Sequence, residues 1–166
     1  NKRKNAWGTG LIFNHAIDSI QNVTVAAGFT REISENANNT AYYRNAYGLG
    51  LAYNFVHTTY GLDLERQVTK NQGDKRTKNE VRAIVRQGLN EDWNVYAMYA
   101  YKTDKQFGDT DRTRQFMVGT EYYVYNQGSL KVKPFLEWQA TRTKYENSTV
   151  DRSRDFKTVI GLRAYW

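Results

Sequence analysis

Two arginines stand four residues apart in Val81-Arg82-Ala83-Ile84-Val85-Arg86, and strand side chains alternate with period two, so an extended backbone puts both guanidinium groups on one face. The same alternation brings Arg44, Lys102, Lys131, Lys133, Lys157 and Arg163 to that face, with Asp63, Glu65, Glu80, Glu121, Glu137 and Asp155 among them. An arginine fork pairs bidentately with a planar carboxylate, and a wall lined by Arg and Lys selects anions. The plainer alternative is mutual neutralisation, in which the charges pair across neighbouring strands and fill the interior, as side chains do in small barrels.

Catalytic chemistry is poorly supplied. The chain holds 2 His and no Cys, which leaves no cluster with metal-ligand spacing. His15 falls near a turn on an apolar face and His57 within a short turn, so the two do not converge on one site. Asp109 with Asp111, and Asp63 with Glu65, read as solvated or salt-bridged charge rather than as an acid and base pair. The expectation is a protein that is not an enzyme and uses no cofactor.

The elements that carry these residues are strands. Nine period-2 segments are bounded by turn residues: Asn5 to His15, Asn22 to Ser34, Thr40 to Phe55, Thr59 to Thr69, Lys78 to Leu89, Trp93 to Lys105, Arg114 to Asn126, Ser129 to Tyr145, and Arg154 to Trp166. The gaps at Ile17 to Gln21, Val56 to Thr58, Asn90 to Asp92 and Gln127-Gly128 read as short turns. Those at Glu35 to Asn39, Asn71 to Arg76, Gln106 to Arg112 and Asn147 to Arg152 read as longer polar loops. Bacterial outer-membrane barrels show this asymmetry, with their long loops outside the cell. Small residues, among them Gly8, Gly10, Ala26, Gly28, Gly48, Gly50 and Gly161, share the charged face and leave room for water. The other face gathers Trp7, Leu11, Phe29, Leu49, Val85, Tyr99, Val118, Trp138, Ile160 and Trp166 into an apolar belt with aromatic rims.

Composition agrees. Only 40% of 166 residues are hydrophobic and mean hydropathy is −0.79, yet 14% are aromatic, including 13 Tyr and 4 Trp. A barrel with a wet lumen needs little aliphatic core and many interfacial aromatics. No stretch approaches the roughly 20 apolar residues of a spanning helix. No secretory signal is present, so an exported protein would be read here as mature chain. The expectation is one all-β domain over residues 1–166, an antiparallel up-and-down transmembrane β-barrel. Since single-chain bacterial barrels have even strand numbers, ten or more strands are expected where nine are read. The net charge of +7 draws on Lys2, Arg3, Lys4, Lys75, Arg76, Lys78, Arg112 and Arg114, which are expected to meet lipopolysaccharide phosphates or anionic solutes. Nucleic acid is disfavoured, because the aromatics alternate away from the cations.

The segments Tyr47-Gly48-Leu49-Gly50-Leu51-Ala52-Tyr53-Asn54-Phe55 and Tyr60-Gly61-Leu62-Asp63-Leu64-Glu65 resemble the oligogalacturonate-specific porins, the KdgM family. So do Val81 to Arg86, Leu89 to Val95, Tyr99 to Lys102, Lys133 to Trp138 and Gly161 to Trp166. The resemblance implies a monomeric, twelve-stranded outer-membrane channel, passing acidic oligosaccharides without a cofactor, which sets the expected range at 10 to 12 strands. Arg44, Arg82, Arg86, Lys102 and Arg163 would be the first substrate-binding residues, and Lys131, Lys133 and Lys157 the second. Tyr96 and Tyr123 are candidates for stacking on sugars or for bonding to neighbouring carboxylates.

Overall fold

A computed structural model describes residues 4–35, 41–71, 73–127, 130–147 and 152–165. It is all β: β1 (Lys4–Ala16), β2 (Gln21–Glu35), β3 (Ala41–Phe55), β4 (Thr58–Asn71), β5 (Asp74–Gly88), β6 (Trp93–Gln106), β7 (Asp109–Tyr122), a short β8 (Tyr125–Gln127), β9 (Leu130–Lys144) and β10 (Arg152–Tyr165). Nine long strands pair antiparallel in the order β1-β2-β3-β4-β5-β6-β7-β9-β10, and β8 adds to β9 off this path. Each long strand follows its predecessor and reverses direction, so β1 and β10, the two edges, run the same way.

Every alternating segment read from the sequence forms a strand, but the bounds differ. Arg114 to Asn126 divides into β7 and β8, because the chain leaves the β7 ladder at Tyr123, whose N–H donates to Asp92 O at 2.9 Å. The loops expected at Asn71 to Arg76 and Gln106 to Arg112 are absent. Strands β4 to β7 run through those residues, so that β5 begins three positions after β4 ends and Phe107-Gly108 is a two-residue turn. Phe107 (φ 54°) and Gly108 (φ 94°) both take the left-handed conformation that matches a two-residue hairpin to the strand twist. Gly108 adopts it freely, whereas Phe107 does so against a steric cost. The expected placements of Lys2, Arg3 and Trp166, and of the loop residues 36–40 and 148–151, lie outside the described residues, as does the side chain of Lys4.

Register fixes two faces of opposite character. On β5, Val81, Ala83 and Val85 are exposed, while Arg82, Ile84 and Arg86 between them are partly shielded. The ladders carry the rule from edge to edge: Leu49 opposes Leu64 and Leu64 opposes Val81, whereas Gly50 opposes Asp63 and Asp63 opposes Arg82. A water-soluble sheet buries its apolar face; here Leu11 and Ile160 are each 80% exposed, and among the described residues Ala100 is the buried hydrophobic one. Side chains on the polar face reach across two strand spacings of about 4.8 Å each. Arg163 of β10 meets Glu121 of β7, and Arg86 of β5 meets the same carboxylate from the other side, which a sheet curled toward its polar face permits.

Candidate functional site

Strand alternation places all eight sequence-selected cations on the polar face, and the structure divides them into groups. The tightest centres on Glu121, 1% exposed, at the end of β7. Arg86 forms an ion pair with it, Lys133 Nζ lies 3.2 Å from Oε1, and Arg163 Nη1 donates to Oε2 at 3.1 Å. Burying one carboxylate costs several kcal/mol unless charged donors satisfy it, on the order of the gain that such donors supply. Arg163 also donates to Glu137 Oε1 at 2.7 Å, and Tyr96 Oη donates to the same oxygen at 2.5 Å.

Two glycines make this packing geometrically accessible. Gly119 lies directly opposite Tyr96, and a Cβ there would stand 2.5 Å from Tyr96 Cζ. Gly161 lies opposite Phe135 in the same relation, its Cβ position 2.5 Å from Phe135 Cζ. The aromatic rings lie over the glycine backbones. Arg163 in turn lies over Phe135, 4.1 Å from its centroid, and Lys133 lies 4.4 Å from the Tyr123 centroid. Tyr96 therefore bonds to a neighbouring carboxylate, the second of the two roles read from the sequence, whereas Tyr123 packs its ring against an ammonium.

A second group forms on Glu80, which accepts from Arg82 Nη2 at 3.0 Å and lies 3.2 Å from Lys102 Nζ; Arg82 also lies 3.9 Å from Asp63. A third forms nearer the hairpin ends, where Asp104 accepts from Arg76 at 2.8 and 2.5 Å with Lys78 at 3.7 Å. Arg76, which the sequence placed in a loop, thus lies on strand β5 with Lys78, and both belong to the polar face. Arg44 lies 3.8 Å from Glu32, and Gln67, with its amide oriented to suit, accepts from Arg44 Nε and Nη2. Lys131 and Lys157 share the face and make no ion pair among the described residues.

Between these groups the surface is hollow. A cavity of about 610 Å³ lies over Gly10, Gly28, Gly48 and Gly50 and is walled by Asp63, Glu65, Glu80 and Arg82. A Cβ at Gly48 would meet nothing within 4 Å. A second cavity of about 340 Å³ shares Glu65 and Glu80 with the first and continues past Arg44, Lys102 and Asp104. The sheet therefore presents a bare glycine floor on β1 to β3 facing a charged wall on β4 to β6.

No family model, curated protein or solved structure matches the chain. Its own residues must carry the functional reading. His15 stacks on Phe13 at 6.2 Å and His57 occupies the β3–β4 turn, so they do not come together. Among the described residues no group of three or more His, Cys, Asp or Glu could hold a metal ion.

Sequence reasoning missed four cations. Arg142, Lys144, Arg152 and Arg154 stand on the apolar face beside Arg112 and Arg114, which had been assigned to a loop and its margin. The signal was available: continuing the period-2 alternation of β7 and β10 backward to residues 112 and 152 assigns both to the outward face.

Proposed function

We propose that the chain contributes nine strands to an outer-membrane β-barrel that passes small anionic solutes passively, acidic oligosaccharides among them, and works as a monomer without a cofactor. The observation that carries this is the inverted exposure: large apolar side chains face outward from edge to edge while Arg, Lys, Asp and Glu are gathered on the other face. In water that arrangement wastes the hydrophobic effect; in a bilayer it is the stable one.

An open sheet edge cannot stand in hydrocarbon, where each unpaired backbone group costs several kcal/mol, roughly the full desolvation penalty. Because β1 and β10 run the same way, closure by antiparallel pairing throughout takes an odd number of added strands, which agrees with a total of ten to twelve. Within such a barrel the polar face lines the lumen. Over the whole face cations and carboxylates are close to balance, but around Glu121 the cations Arg86, Lys133 and Arg163 outnumber the carboxylates they hold, Glu121 and Glu137, and Lys131 and Lys157 form no ion pair among the described residues, so that end of the face offers a local site for anions. The resemblance to the oligogalacturonate-specific porins supports uronate-type sugars as the solute class.

Planar-bilayer recording of the refolded protein tests this. Stable unitary steps with an anion-biased reversal potential, blocked by acidic oligosaccharides, are expected; folded protein that inserts without conducting overturns it. The second reading is a non-conducting structural or adhesive barrel, and the pairing of Arg44, Arg82, Arg86, Lys102, Lys133 and Arg163 with carboxylates favours it. The same recording separates the two.

A further inference from the structure

Register forces six cations into a grid on the apolar face. Arg112 of β7 opposes Lys144 of β9, which opposes Arg152 of β10; two residues further along, Arg114 opposes Arg142, which opposes Arg154. Directly opposed side chains stand about 5 Å apart and successive rows about 7 Å, so each cation has like charges as its nearest neighbours. Like charges directly opposite each other destabilise a sheet. Nothing on the protein relieves them: among the described residues none of the six forms an ion pair.

The imbalance extends over the whole face. Glu32, Asp63, Glu65, Glu80, Asp104, Asp111, Glu121, Glu137 and Asp155 all alternate onto the polar face, where cations nearly balance them. Among the strand residues whose side chains are described, the apolar face carries no carboxylate at all. Its cations also collect at one end, toward the β6–β7 and β9–β10 connections. The next same-face positions are Phe116 on β7, Ala140 on β9 and Phe156 on β10, and Trp138, one same-face position beyond Ala140, lies edge-on to Phe116 at 6.5 Å and stacks on Phe156 at 6.1 Å. A surface depression of about 260 Å³ lies among Arg112, Arg114, Arg142, Lys144 and Arg152.

The geometry points to a binding site for the phosphate groups of a phosphorylated lipid headgroup on the outward face of β7, β9 and β10, with Arg112, Arg114, Arg142, Lys144, Arg152 and Arg154 as ligands. The order along the strands, apolar belt, then aromatic rings, then cations, is the order of acyl chain, interface and phosphate along a lipid. Guanidinium forks suit phosphate oxygens, and four cations around one square of the grid surround a single phosphate. A dissolved anion would satisfy the charge but would leave the three rings beneath it without a partner, which favours the lipid. The site rests on the membrane reading given above and fixes its orientation, with the cationic end in the leaflet that holds the phosphorylated lipid.

The test is native mass spectrometry of the whole chain folded in zwitterionic detergent, titrated separately with diphosphorylated lipid A, its dephosphorylated counterpart and inorganic pyrophosphate. The diphosphorylated lipid should bind at least tenfold more tightly than either of the others. Arg114→Gln/Arg142→Gln/Arg154→Gln should lose that preference, and Arg114→Lys/Arg142→Lys/Arg154→Lys should keep most of it. Equal binding by the dephosphorylated lipid, equal binding by pyrophosphate, or undiminished binding by the glutamine variant each overturns the proposal. Bilayer recording of the unaltered protein reports on the channel alone, so the two readings fail separately.

Discussion

Arg163 Nη1 donates to Glu121 Oε2 at 3.1 Å although their strands, β10 and β7, are separated by β9. Arg86 approaches the same carboxylate from β5, across β6. One buried anion therefore draws together strands that share no backbone hydrogen bonds, and it does so on the polar face.

Glu121→Gln leaves Arg86, Lys133 and Arg163 crowded around a neutral amide. Removing one partner of a buried pair costs about 3–5 kcal/mol, and the half-exposed guanidinium groups here reduce that, so a loss of about 2–3 kcal/mol is expected. Urea unfolding of the detergent-folded protein measures it. If the polar face lines a pore, the same variant also strengthens anion preference, and reversal potentials in a salt gradient read that change.

Neutralising Arg82 and Arg86 together acts in the opposite direction. The double variant Arg82→Gln/Arg86→Gln frees Glu80 and weakens the screen around Glu121, so the wall between them turns less positive. If the polar face lines a pore, the reversal potential of the reconstituted protein should shift toward cations. Unchanged potentials would remove these two arginines from the conduction path.

The two faces differ in what they tolerate. Val118, on the apolar face of β7, is 37% exposed, and if that face meets lipid, Val118→Arg sets a charge in the apolar belt at a cost of about 2–4 kcal/mol near a bilayer midplane. Gln115→Arg, at a polar-face position of the same strand, should fold into lipid vesicles with near-normal yield. The gel shift between heated and unheated samples reports both; equal yields would contradict the assignment of faces.

Gly119→Ala forces the Tyr96 ring off the β7 backbone, since its new methyl would stand 2.5 Å from Tyr96 Cζ. Overpacking of this kind costs about 1–3 kcal/mol. Thermal unfolding should fall accordingly, and Gly119→Ala/Tyr96→Phe, which leaves the clash, should not recover it. Gly48→Ala, with open space above, should be nearly neutral.

Strand existence and facing were legible because a period of two leaves only two registers, and Leu49, Leu64, Val81 and Tyr101 fit only one of them. Strand ends were not legible. Lys75, Arg76, Arg112 and Arg152 look like loop residues by charge, yet alternation continues through them, and of the long loops expected there those at Asn71 to Arg76 and Gln106 to Arg112 shrink to two residues between strands. The charged residues of the site could be chosen by parity alone. Their grouping around Glu121 could not, because Arg86, Lys133 and Arg163 come from three strands, and which carboxylate each finds depends on sheet curl rather than on spacing along the chain.

Among the described residues each long strand packs only against its neighbours in the ladder, so apart from the side-chain bridges of the polar face the molecule is a one-dimensional stack. Pulled from one end, such a stack has no central core to rupture. It yields hairpin by hairpin, each step releasing about 30 residues or roughly 100 Å of chain at the extended spacing per residue. The greatest resistance should come where β7, β9 and β10 part, because there the Glu121 bridges must break together with the ladder.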